Sequence, residues 1–242
     1  ILHEMILFRR KIYDKLLDWK KNTDGCKALL IEGARRIGKS TIAEEFGRNE
    51  YKSYILIDFN MASEVVRNAF RDYLNDLDTF FMIISSEYGV KLHRRESLII
   101  FDEIQKFPKA REAVKYLVAD GRYDYIETGS LISIRENVEG ITIPSEERPI
   151  NMYPLDFEEF AWAMGEEQMI DYIRKCFSDR KPMEQSLHAK AMLLFRQYMI
   201  VGGMPQSLSA YIGNDRDFAK ADMEKRDILT LYRKDIMRIE SG

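Results

Sequence analysis

No feature of the 242-residue chain constrains its fold more than the stretch from Lys27 to Thr41. It reads Lys-Ala-Leu-Leu-Ile-Glu-Gly-Ala-Arg-Arg-Ile-Gly-Lys-Ser-Thr. An apolar run ends at Gly33 and opens onto G-x-x-x-x-G-K-S, the P-loop spacing. Behind it, Ile42, Ala43 and Phe46 recur at helical spacing. The stretch therefore predicts strand, tight loop and helix in immediate succession, the opening unit of a parallel α/β sheet.

The residue types explain the spacing. Gly33 and Gly38 let the backbone turn tightly and approach a phosphate chain with no Cβ in the way. The N–H groups of Ala34, Arg35, Arg36, Ile37 and Gly38 then face an anion at a helix N-terminus, where the helix dipole adds to the attraction. Lys39 supplies a point charge for the β- and γ-phosphates, and the Ser40 hydroxyl is a hard oxygen ligand suited to Mg²⁺. Thr41, the second hydroxyl, reads as an α-phosphate contact or as an ordinary helix residue.

A second landmark lies at Ser97-Leu98-Ile99-Ile100-Phe101-Asp102-Glu103-Ile104. The apolar run suits a strand buried on both faces, and two carboxylates follow at its carboxyl end. In this Walker B pattern Asp102 serves the metal. Glu103 polarises the water that attacks the γ-phosphate, as general base or positioning group. The next predicted strand, Tyr123 to Ser130, ends in hydroxyl residues. Ser130 is the first candidate to reach the attacking water or the γ-phosphate and Thr128 the second; the alternative is a turn in which Ser130 caps a following helix. Asp58, near the end of the strand predicted over Tyr51 to Asn60, is a further carboxylate at a strand's carboxyl end, where ligands gather. A plain turn residue is the competing reading.

Composition narrows the function classes. The chain carries 37 basic and 40 acidic residues, a net charge of −3, which argues against a generally basic nucleic-acid binder. The densest basic cluster, Lys91, His93, Arg94 and Arg95, reads as a solvated loop rather than a phosphate-backbone contact. No apolar run approaches the ~20 residues of a membrane span, and the start shows no signal-peptide pattern. Cys26 and Cys176 form no disulfide framework and the three histidines no zinc spacing, so a cytoplasmic protein with reduced thiols is expected.

The remaining chain reads mostly as helix. Ile6 to Lys21 is predicted helical on Ile12, Leu16 and Trp19. Ala62 to Tyr88 is predicted as two helices broken near Asn75 to Asp78, and Lys109 to Asp120 as another. Arg135 to Pro149, polar and carrying Gly140, Pro144 and Pro149, is expected to be an exposed loop. A last strand is placed at Pro149 to Leu155. Asp156 is expected to cap a helix to Ala163 whose Phe157, Phe160 and Trp162 go to core. Helices then follow over Glu166 to Phe177, Met183 to Val201 and Ala219 to Ile239, with Gly202-Gly203-Met204-Pro205 as a sharp break.

Taken together, these residues resemble the prokaryotic AAA-like P-loop ATPases of unknown function, a group related to the STAND-type and archaeal ATPases. The resemblance rests on an Arg9/Arg10-bearing N-terminal segment, GARRIGKS (Gly33 to Ser40), LIIFDEIQ (Leu98 to Gln105), ETGSL (Glu127 to Leu131), MYPLDFEEF (Met152 to Phe160), VGGMPQ (Val201 to Gln206) and a YRKDI segment (Tyr232 to Ile236), in that order. It implies an α/β P-loop NTPase with a parallel five-stranded sheet flanked by helices over residues 1–160 and a helical lid over residues 161–242. It also implies ATP with Mg²⁺, Lys39 on the phosphates, Ser40 and Asp102 on the metal, and Glu103 as the water-activating residue. Relatives commonly continue into a winged-helix segment and a nuclease-like domain, so the chain is expected to be an N-terminal portion. Where relatives carry a Gly-Arg pair after the ETGS-type segment, this chain reads Ser145-Glu146-Glu147-Arg148; the arginine that completes the site is then Arg148, Arg135 or one from a neighbouring copy.

Three functions share such a core. An ATPase is favoured by Glu103 beside Asp102 and by the lack of an N-K-x-D guanine-recognition run. A nucleotide-dependent switch with little turnover uses the same site to expose a partner surface. A small-molecule kinase needs a basic lid, which the acidic stretch after Arg135 does not offer. The sequence leaves open a second copy of the chain, another protein or DNA as partner, and it excludes a membrane.

Overall fold

A parallel sheet carries the P-loop. The computed structural model describes residues 6–130 and 145–240, and its elements run α1 (Ile12–Thr23), β1 (Ala28–Gly33), α2 (Lys39–Glu50), β2 (Ser53–Asp58), α3 (Glu64–Asp72), α4 (Leu77–Tyr88), β3 (Ser97–Asp102), α5 (Pro108–Asp120), β4 (Asp124–Ser130), β5 (Glu147–Asn151), α6 (Phe157–Ala163), α7 (Glu167–Asp179), α8 (Gln185–Val201), α9 (Pro205–Gly213) and α10 (Phe218–Glu240). A short 3₁₀ turn, Ile104–Lys106, joins β3 to α5. The expected α/β P-loop architecture with a five-stranded parallel sheet is what the chain forms: strand order is β2-β3-β4-β1-β5, every pair parallel.

The register explains why the sequence motifs meet. β1 sits between β4 and β5, with Gly33 opposite Ser130. β3 sits between β2 and β4, with Asp102 opposite Asp58. All six residues of β3 are buried, as its apolar run requires for a strand covered on both faces. One cover is an aromatic core, in which Phe59, Phe70, Phe101 and Phe107 pack with ring centroids 5.4 to 6.0 Å apart. On α1 and α2, Trp19 and Phe46 are both fully buried, and the Trp19 indole N–H donates to the Lys27 carbonyl at 2.9 Å.

Two expectations change here. The last strand is Glu147–Asn151, not Pro149 to Leu155, so Glu147 and Arg148 belong to the sheet rather than to a loop. Pro149 is tolerated because β5 is an edge strand with β1 as its neighbour, where a missing N–H harms no second ladder. The first helix begins at Ile12 rather than Ile6, because the preceding residues are bonded elsewhere. The buried Arg10 donates to the Tyr153 carbonyl at 2.6 Å and pairs with Glu159, and the Lys11 N–H donates to Glu159 Oε1 at 2.7 Å.

The chain divides into two units, Ile12–Met152 and a second formed by Tyr153–Gly242 with the N-terminal segment up to Lys11. The second unit is helical. Asp156 caps α6 in a full capping box with Glu159, and Phe160 is fully buried. The PLDFEEF and VGGMPQ stretches touch: the Leu155 N–H donates to the Gly203 carbonyl at 2.7 Å. A Cβ at Gly203 would lie 2.1 Å from the Leu155 carbonyl oxygen, which is why a glycine stands there. On α10 Ile228 is buried and Ile236 exposed, so only part of its apolar stripe is covered.

Candidate nucleotide site

The site is built on the carboxyl ends of β1, β3 and β4. β1 ends at Gly33, where the backbone passes so close to β5's exit that an added Cβ would meet the Met152 carbonyl oxygen at 2.3 Å. Gly38 caps α2 with φ 93°, a left-handed conformation that side chains resist. Between them Arg36 also takes a positive φ, 63°. The P-loop glycines thus stand where sterics demand them.

Lys39 opens α2 and is 5% exposed. Its ammonium lies across the loop, donating to the carbonyls of Gly33 at 3.2 Å and Ala34 at 2.7 Å. Burial lowers its pKa; the charges of Glu103 and Asp102 oppose that shift and Arg35 adds to it. A cation held by two neutral carbonyls and long-range carboxylates gains much from a phosphate.

Next to it the two metal candidates are already joined. Ser40 Oγ donates to Asp102 Oδ1 at 2.6 Å, and the same oxygen accepts from the Thr128 hydroxyl. A hydroxyl and a carboxylate are hard oxygen donors of the kind Mg²⁺ prefers. Among the described residues no group of three or more His, Cys, Asp and Glu could hold a metal. Mg²⁺ at nucleotide sites needs no such cage, since phosphates and waters complete its shell.

Glu103 follows at φ 54°, an unusual conformation for a side-chain-bearing residue. Its N–H donates to Thr128 Oγ1 at 3.3 Å, and its carboxylate accepts from Gln105 Nε2 at 2.5 Å. Thr128 therefore touches both members of the acidic pair. Ser130 lies buried two residues on, level with Gly33. Asp58 accepts from the N–H and side-chain amide of Asn60 at 2.8 and 2.9 Å, the bonding of a turn residue. Arg148 is exposed and pairs with Leu29, about 13 Å of strand short of Gly33 at ~3.3 Å per residue. Arg135 lies outside the described residues. Gln105 carries no motif role in the sequence, and its place two residues after Glu103 is the one signal that points to it.

A family model described as an AAA domain matches residues 26–161. The chain belongs to the AAA domain family. This AAA domain resembles several solved structures at low identity. They include closed-state Hsp104 with ATPγS and FITC-casein, at 14% identity and TM-score 0.46, covering 86% of this chain and 38% of that one. The Aeropyrum pernix ORC1 protein in complex with DNA aligns at 11% identity and TM-score 0.41, over 83% of this chain and 69% of that one. PCH-2 from C. elegans aligns at 9% identity and TM-score 0.38, over 93% and 66%. No protein of curated function matches. Among the described residues no helix is long and apolar enough to cross a membrane.

Proposed function

We propose that this AAA domain binds ATP with Mg²⁺ and hydrolyses it, and that the nucleotide state is coupled to a partner or to a C-terminal effector. The observation that carries the reading is the contact of Ser40 Oγ with Asp102 Oδ1 at 2.6 Å, with Glu103 next in the chain. A P-loop hydroxyl and a strand-end carboxylate meet where a phosphate-bound cation is held in such sites. Ser40 and Asp102 would hold Mg²⁺, which would supply positive charge against the phosphates. The P-loop amides and Lys39 hold the phosphates in place. Glu103 orients the attacking water and takes its proton. Thr128 ties Asp102 to the Glu103 backbone and keeps the metal-side and water-side carboxylates in register, and Ser130 faces the phosphate end from β4. In this reading the unit Ile12–Met152, the greater part of the core expected over residues 1–160, is catalytic, and the helical residues 161–242 serve as the lid.

Calorimetric titration with ATP and with GTP, each with Mg²⁺, tests the binding half. ATP is expected to bind the wild type, and Lys39→Ala to lose that binding. Phosphate release tests the second half. Glu103→Gln is expected to keep ATP affinity and lose turnover by about 10²-fold or more. Phosphate release near background in the wild type as well as in Glu103→Gln would leave a nucleotide-dependent switch as the better description.

A further inference from the structure

Glu103 is pinned at three points. Its N–H donates to Thr128 Oγ1, its carbonyl accepts from the Lys106 N–H at 2.8 Å, and its carboxylate accepts from Gln105 Nε2 at 2.5 Å. Two of these fix the backbone; the third sets the direction of the carboxylate.

Gln105 is 7% exposed, and among the described residues its Oε1 has no hydrogen-bond partner. Leaving a buried amide oxygen unsatisfied destabilises the fold. A leucine or methionine of similar volume would avoid that cost, so stability does not account for a glutamine here. What the amide supplies and an apolar side chain does not is one N–H aimed at Glu103.

We propose that Gln105 is the positioning residue for Glu103 in ATP hydrolysis, a proposal that rests on the hydrolysis reading above. Its Nε2–H occupies carboxylate oxygen Oε2. That leaves Oε1 as the acceptor for the attacking water. In the step itself the water oxygen forms a bond to the γ-phosphorus, and the bond from that phosphorus to the β–γ bridging oxygen breaks. The water's proton passes to Glu103 Oε1, and ADP and phosphate leave. Gln105 touches no reacting atom. It removes the rotamer freedom of a side chain whose misplacement by about 1 Å costs on the order of 10² in rate.

Two variants of near-equal volume test this, Gln105→Leu, which has no donor, and Gln105→Glu, which when ionised has none and repels Glu103. Both are expected to bind ATP·Mg²⁺ within about twofold of wild type by calorimetry, with KM unchanged and kcat lower by about 10²-fold. The Gln105 side-chain amide resonance, followed by ¹⁵N NMR in the full chain, is expected to shift in Glu103→Ala. Wild-type kcat in Gln105→Leu would overturn the proposal alone. So would loss of ATP binding in step with kcat in both variants, which marks a merely structural role, or an amide resonance indifferent to Glu103. A wild type that binds ATP but releases no phosphate would overturn the hydrolysis reading, and the proposal with it.

Discussion

A methyl group placed on Gly33 would lie 2.3 Å from the Met152 carbonyl oxygen and 2.6 Å from Ile37 Cδ1. The first contact is with backbone, which cannot swing aside, so Gly33→Ala must push β5's exit or the loop out of place. We expect Gly33→Ala to lower the thermal midpoint by several degrees and to weaken ATP binding at least tenfold, measured by calorimetry on the folded variant. Single residues were where the sequence was most readable. Gly33, Gly38, Lys39, Ser40, Asp102 and Glu103 are chosen by local chemistry, and a motif spaced by a few residues records that choice. Thr128 and Gln105 were harder. Thr128 matters because the parallel register sets β4 beside β3, and Gln105 because a 3₁₀ turn folds it back on Glu103. Thr128 is legible in the sequence as a hydroxyl near a strand end, but its contacts with Asp102 and Glu103 come from the strand neighbour, and the contact of Gln105 with Glu103 comes from the local turn.

Among the elements, β5 is tied to α5 by a buried ion pair. Arg111 on α5 grips Glu147 through both carboxylate oxygens, at 3.0 and 2.8 Å, with side chains 7% and 4% exposed. Removing one partner of a buried pair typically costs about 3–5 kcal/mol, and Arg111→Ala is expected to lose that much by denaturant titration. Glu127 on β4 is fully buried nearby, against the Glu147 carboxylate. Burial first, and then the Glu147 charge, push its pKa well above the usual 4.5, with Arg111 opposing. The folded protein thus holds a proton that the unfolded chain releases above 4.5, so stability is lost as pH rises from there through the folded pKa. The Glu127→Gln variant, permanently neutral, is expected to flatten the fall of the thermal midpoint as pH rises above the usual carboxylate range; an unchanged slope would show that Glu127 is not its source. The sequence hid this element for a physical reason. Glu-Arg-Pro-Ile-Asn has the composition of a loop, and its parallel ladder with β1 makes it an edge strand.

At the scale of the whole molecule, the division at Met152/Tyr153 and the return of Arg10 and Lys11 to the second unit rest on contacts far apart in sequence. Periodicity, a local property, could foretell the helices but not which of them share a core. The same remoteness governs the order of assembly. β1, which carries the P-loop, is made roughly a hundred residues before both of its sheet neighbours, β4 and β5. The loop therefore waits, unpaired, until β4 and β5 follow, and its anion nest closes only after them. In stopped-flow refolding, far-UV ellipticity is expected to recover first and capture of a fluorescent ATP analogue only in the slowest phase. Simultaneous recovery of the two signals would contradict this order. A newborn chain would then spend its early life with a sticky apolar strand exposed and no nucleotide to steady it, the condition in which a cell's holdase chaperones have most to offer.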